Sequence, residues 1–189
     1  MRACEHARIS RMNGLKNGHW RWRARSAANA VVWACAALLP LSAAALDRPA
    51  GKAILTVTGP LTVRNEAEAA VFDLALLDQL PQHSFSTRTP WYPEARKFSG
   101  VLVSDLLKAV GAQGTTLNAV ALNDYRVEIP VEDLVRHGAM IASRLDGKPI
   151  AVRDKGPLLI IYPFDDRPGL DTAVHYSRAI WQLNRLELR

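Results

Sequence analysis

A single β-rich α+β domain with short helices inserted between its strands is the fold class that this sequence of 189 residues predicts. Three observations carry that expectation. Strand-like runs dominate the second half of the chain. The helical stretches are brief and are stopped by Pro81, Gly111 and Gly138. What remains after a leader over residues 1–45 is the size of one ordinary domain, enough to bury a core, and it has no internal repeat or low-complexity linker.

The leader comes first. Arg2, Arg8, Arg11, Lys16, Arg21, Arg23 and Arg25 precede the apolar stretch AANAVVWACAALLPLSAAA, which closes on Ala43, Ala44 and Ala45. That order of charge, apolar core and small residues is the pattern of a secretory signal peptide, with Leu46 as the mature N-terminus. A membrane anchor is the competing reading, since residues 27–46 approach the length of a span; Pro40 and the small residues after it favour cleavage. The charged region is long enough that translation could start at Met12 rather than Met1. Arg23-Ala24-Arg25 is not a twin arginine, so export by the general route to a periplasmic or secreted location is expected.

Setting the leader aside removes seven basic residues and one acidic residue, leaving 17 of each sign and no net charge. The sequence pI near 9.7 therefore belongs to targeting, and a nucleic-acid partner is not expected. Cys4 and Cys35 leave with the leader, so the mature chain offers no disulfide and no thiolate ligand.

Along the mature chain, residues 53–59 and 61–65 read as two short strands broken by Gly59-Pro60. Asp73 is a candidate N-cap for a helix that sets Leu74, Leu77 and Leu80 on one face before Pro81. Strand-like HSFSTRT follows, and then a polar and aromatic loop, TPWYPEARK, of the kind that often aims side chains at a binding site. Ser104 can cap the next helix, which ends at Gly111. LNAVALNDYRVEIP alternates on both sides of Asn123-Asp124 as a hairpin or bulged pair, with Tyr125, Val127 and Ile129 on one face and Arg126 and Glu128 on the other. VEDLVRHG reads as a short helix closed by Gly138. AMIASRLDGKPI and GPLLIIYP read as strands, the second suited to the middle of a sheet; AVHYSRAIWQL supplies a last helical turn and NRLELR a final strand.

Catalytic motifs are scarce. There is no G-x-S-x-G, no Gly-rich phosphate loop and no C-x-x-C. His83, His137 and His175 are far apart in sequence and lack ligand spacing, so no metal site is expected. The candidate binding residues are Arg88, Thr89, Trp91, Asn123, Tyr125, Arg126, Arg153 and Lys155, all in or beside loops. Guanidinium and ammonium groups near a backbone-exposing Gly156 would suit a small anionic ligand. Solvated loop charge is the plain alternative for each, and convergence in space decides between them.

The ordered series FSGVLVSDLLKAVGA, LNDYRVEIPVED, LDGKPIAVRDKGPLLIIYP and SRAIWQLNRLELR resembles, over nearly the whole mature chain, the molybdopterin-binding domain of the sulfite oxidase family. The resemblance implies a β-rich α+β sulfite-oxidase-type fold that holds molybdenum through a pterin dithiolene and one cysteine, and it implies oxygen-atom transfer as the activity. Two departures stand out. Thr87 or Thr89 occupies the place of the cysteine ligand, and a hydroxyl is a poor substitute for a soft thiolate. Lys155-Gly156-Pro157, with Leu159 near the expected arginine, replaces the His-Gly, Pro and Arg of the phosphate cradle.

The expectation is thus a secreted domain of this fold, without a working molybdenum centre, that binds a small anion or a partner such as a membrane-bound sensor. The alternative is a molybdopterin-dependent oxidoreductase. On the residues alone no cofactor is expected; molybdopterin enters by resemblance only.

Overall fold

The computed structural model describes residues 46–189; the leader, its cysteines and the choice of start codon lie outside the described residues. Two five-stranded sheets share one apolar core. The first has the order β2-β1-β10-β5-β6, built from β1 (Leu55–Thr58), β2 (Ala69–Phe72), β5 (Thr116–Ala121), β6 (Arg126–Pro130) and β10 (Leu183–Leu188). The second has the order β3-β4-β7-β8, from β3 (Gln82–Thr89), β4 (Tyr92–Leu102), β7 (Met140–Leu145) and β8 (Lys148–Pro149), with β9 (Leu159–Ile161) pairing β7 off that path. Only β1 and β10 run parallel, and the other pairs are antiparallel. Short helices α1 (Leu74–Gln79), α2 (Val103–Ala109), α3 (Val131–Arg136) and α4 (Ala173–Arg178) connect them, as the fold class requires. Among the described residues no helix is long and apolar enough to cross a membrane.

The physics of each element is local. In β1, Leu55 and Val57 are buried while Thr56 and Thr58 are not, the two-residue alternation of a strand with one face in the core. Asp73 caps α1: its carboxylate accepts from Leu76 N–H at 2.8 Å and from Gly51 N–H at 2.7 Å. Leu76 and Leu77 form the buried face of this helix, rather than Leu74 and Leu80.

Those two N–H donors, Leu76 first, hold the Asp73 carboxyl below its ordinary value of 3.8. A depressed folded-state value gives stability that is fully present above the ordinary carboxylate range and is lost as pH falls through the folded value. Asp73→Asn should therefore flatten the acid side of the stability profile between about pH 5 and pH 3, the carboxylate titration range, while Asp73→Ala lowers the thermal midpoint at neutral pH as well. Thermal melts across that range check both; an acid limb identical in wild type and Asp73→Asn overturns the assignment.

Several sequence expectations need correction. Residues 61–65 do not form a strand: Leu61 makes a single bridge to Ala112, and Val63 N–H turns to Val110 O, so the segment follows the end of α2. The strand beside β1 is instead β2, whose free edge is met by the Asn65 amide, bonded both ways to Val71 at 2.8 Å. The polar stretch after Thr89 is a tight turn of a long hairpin rather than an open loop, because residues 82–89 pair with residues 92–101, with a bulge between Thr87 and Thr89. Ser104 lies inside α2 and does not cap it; Ala139 O accepts from Val103 N–H at 2.9 Å, so the residue leading into β7 holds the helix entry. Finally, β9 is fully buried but pairs only β7, and its other edge is met by the chain entering β10, through Ile160 N–H to Ile180 O at 3.0 Å and Leu183 N–H to Leu158 O at 2.9 Å.

Candidate functional site

The candidate site lies where three connections meet: the β3–β4 turn, the 3-10 turn Val152–Asp154 with Lys155 behind it, and the α4–β10 connection. Gln182 ties them. It adopts a left-handed backbone (φ 52°), its N–H donates to Lys155 O at 2.9 Å, and its side-chain amide donates to Val152 O at 3.0 Å. Its own carbonyl accepts from Leu122 N–H at 2.9 Å, which adds the β5–β6 turn to the assembly.

This tie sets an aromatic and cationic ridge. Trp91 and Trp181 meet edge to face at 5.0 Å, and Lys155 places its ammonium 4.4 Å from the Trp181 ring centroid and 5.6 Å from that of Tyr92. Trp91 Nε1 is buried with no acceptor among the described residues. Leu122, Tyr125, Val152 and Trp181 are exposed large apolar side chains on the same tied connections, a patch of the kind that marks binding surfaces.

Two cavities open beside the ridge and share Tyr176 of α4. One, about 300 Å³, is lined by Asn123, Tyr125, Ser177, Trp181 and Gln182 and carries no charged residue. The other, about 320 Å³, is lined by Arg88, Thr89, Pro90, Phe164, Asp165 and Asp171. In the second cavity Arg88 is already engaged, with its N–H and its guanidinium on Asp165 at 2.8 and 3.3 Å. Tyr176 donates to Asp171, and that carboxylate, with some burial, pushes its hydroxyl up to about 12. One arginine against two carboxylates makes this cavity no cradle for an anion.

The eight candidate residues therefore divide. Arg88, Thr89, Trp91, Asn123, Tyr125 and Lys155 border the two cavities or the ridge between them. Arg126 does not: it stands on the outer face of β6, where Glu187 takes its guanidinium at 3.1 Å. Arg153 is 88% exposed, beside Asp154, and reaches nothing in the site. Gly156 is buried rather than backbone-exposing, packed against the carbonyl of Ile150. Sequence reasoning missed Trp181, Gln182, Tyr176 and Asp165. Trp181-Gln182 had been absorbed into a helical turn, whereas α4 ends at Arg178 and those residues are the connection itself.

The histidine expectation also changes. His83 pairs with Asp105 at 2.8 Å, but His137 and His175, 38 positions apart by their numbers, converge on Asp133, where side chains from the ends of α3 and α4 meet.

Thr87 and Thr89 are both buried, as a metal ligand would be, yet neither hydroxyl is free. Thr87 Oγ1 accepts from Asp165 N–H at 3.1 Å and donates to Arg88 O at 3.2 Å; Thr89 Oγ1 accepts from Tyr92 N–H at 2.9 Å. Leu159, near the expected arginine, is 1% exposed in the core. A thiolate-ligated molybdenum centre thus does not fit the donors that residues 46–189 provide there.

No curated protein matches the chain. Among solved structures, the sulfane dehydrogenase SoxCD from Paracoccus pantotrophus is similar in fold, with a TM-score of 0.53 and 17% identity over 71% of this chain; the match spans 37% of that longer protein. The family described as oxidoreductase molybdopterin-binding domain matches residues 54–164. That span runs from β1 through β9 and includes the Thr87–Thr89 segment and the Lys155 turn, while β10 lies beyond it; the chain belongs to the oxidoreductase molybdopterin-binding domain family.

Proposed function

We propose that this domain is a binding module that does not run molybdenum chemistry. The observation that carries the reading is the state of the two threonines: both hydroxyls are held in backbone hydrogen bonds where the resemblance puts the metal's thiolate. The ridge and the uncharged cavity favour a ligand with a planar or apolar body lying on Trp181 and Tyr125, and one anionic group meeting Lys155. The same chemistry presented on an exposed segment of a partner would serve equally. The leader pattern supports action outside the cytoplasm, and a lone domain of this fold without its metal ligand would there suit reporting occupancy to a membrane-bound sensor. Of the four basic candidates, Arg88, Arg126 and Arg153 each face a carboxylate, and Lys155 is held by aromatic rings instead, so one anionic group, not several, is the expected recognition element.

Family membership favours the second reading, an oxygen-atom-transfer enzyme whose metal ligand comes from elsewhere. Elemental analysis separates the two. Protein purified from the periplasm of a molybdate-supplied host able to make the cofactor is expected to carry no stoichiometric molybdenum. Near-equimolar molybdenum in the folded protein would overturn the binding-module reading.

A further inference from the structure

Outside the cleft, we propose that Asp133 of α3, His137 at its C-terminal end and His175 of α4 form a binding site for one divalent cation of the zinc class. Their ligand atoms all lie within 4.8 Å of one another. Asp133 Oδ1 is 3.7 Å from His137 Nε2 and 3.5 Å from His175 Nε2. Two ligands about 2.1 Å from a tetrahedral ion stand about 3.4 Å apart, so small side-chain adjustments close the set. Two imidazoles and one carboxylate are a donor set that suits zinc better than calcium or magnesium, and three protein ligands leave a fourth position for water.

The groups behind the ligands point the same way. Tyr162, whose side chain is fully buried, donates its hydroxyl to Asp133 Oδ2 at 2.9 Å, leaving Oδ1 as the oxygen turned to the histidines. Thr172 Oγ1 lies 2.9 Å from His175 Nδ1. In the tautomer whose Nδ1–H donates to that oxygen, the Nε2 lone pair is free to ligate a cation beside Asp133 Oδ1, 3.5 Å away. The imidazoles stand edge to face, 5.4 Å between centroids, so both nitrogens reach the gap.

One group competes. Arg178, at the end of α4, places Nη1 3.0 Å from the same Oδ1. A bound cation takes the position the guanidinium now holds, and Arg178, 20% exposed, turns toward solvent. This competition gives the site a signature that a plain ion-pair network lacks.

Zinc titration of the full chain against a chromophoric chelator, with cobalt as spectroscopic probe, tests the proposal. One zinc per chain is expected, with affinity lowered at least about tenfold in His137→Gln and in His175→Gln, the range seen when zinc sites lose supporting groups. Arg178→Gln should raise affinity. Cobalt should give visible bands of a tetrahedral site without the near-ultraviolet thiolate band that Cys4 or Cys35 would produce. Zinc affinity unchanged in both histidine variants, unchanged or lowered in Arg178→Gln, or a thiolate band would each overturn it; the last two hold even where a histidine variant fails to fold.

Discussion

Replacing Gly156 by alanine is expected to cost about 3 kcal/mol or more, at the upper end of what overpacking does and a large share of the stability of an ordinary domain. A Cβ built there would stand 2.0 Å from Ile150 O, 2.5 Å from Ile150 C and 2.9 Å from Ala151 O. All three are backbone atoms, so no side chain can swing aside. The chain must move as a whole, and its freedom is small: Gly156 N–H donates to Ala151 O, and Lys155 before it is held by Gln182. The thermal midpoint should fall by about 6–12 °C, since each kcal/mol moves a domain of this size by a few degrees. Gly147→Ala is the contrasting control. Gly147, unlike Gly156, needs left-handed backbone (φ 78°) but has nothing within 4 Å of its Cβ position, so only the conformational cost of about 1 kcal/mol applies. Equal losses in the two variants would mean that the close approach is not what fixes this turn.

The same substitution bears on function. Lys155 reaches Trp181 and Tyr92 only because the turn is pressed against Ile150 and tied to Gln182. The resemblance placed Gly156 in a phosphate cradle; the packing explains the glycine without any ligand.

Much of the secondary structure was legible because it is decided over a few residues. Asp73 as a cap, the pairing of residues 116–121 with 126–130, and the closure of α3 at Gly138 (φ 64°) follow from turn chemistry and alternation. What could not be read is decided by partners distant in sequence. Nothing in VLVSDLL says that Ala139 O will hold the helix entry in place of Ser104, and nothing in LTVRN says that Val110 will draw off its hydrogen bonds. The site divides in the same way. That Arg88, Trp91 and Lys155 stand in or beside loops was legible, whereas the loss of Arg126 to Glu187 and of Arg88 to Asp165 depends on residues 61 and 77 positions away. Charge in a loop is visible in sequence, but its neutralisation across a sheet is not. Histidine spacing misleads for the same reason, since the fold brings together at Asp133 two side chains that the chain separates.

Tyr162 joins the core to that meeting point, and its truncation is the other large expected effect. Its ring is fully buried, 6.0 Å from Phe164 and 5.5 Å from His175 by centroids, while its hydroxyl donates to Asp133. Tyr162→Ala removes an aromatic side chain from a closed core and should cost about 3–5 kcal/mol. Tyr162→Phe keeps the packing and leaves one carboxylate oxygen without its donor, which should cost about 1–3 kcal/mol. The two variants separate again at high pH. Burial first, and then the Asp133 charge, push the Tyr162 hydroxyl far above its ordinary value of 10.0, so the folded protein keeps a proton that the unfolded chain releases. Stability from a raised group is complete below the unfolded value and declines as pH rises past it. Wild type should therefore lose stability steeply above about pH 10, the ordinary tyrosine range, and Tyr162→Phe should lose less over the same interval. Tyr176, raised to about 12 by Asp171, leaves a smaller slope of the same sign in both. Denaturant midpoints measured from pH 8 to pH 11 decide the matter: parallel curves for wild type and Tyr162→Phe would show that this hydroxyl is not the buried donor that holds Asp133.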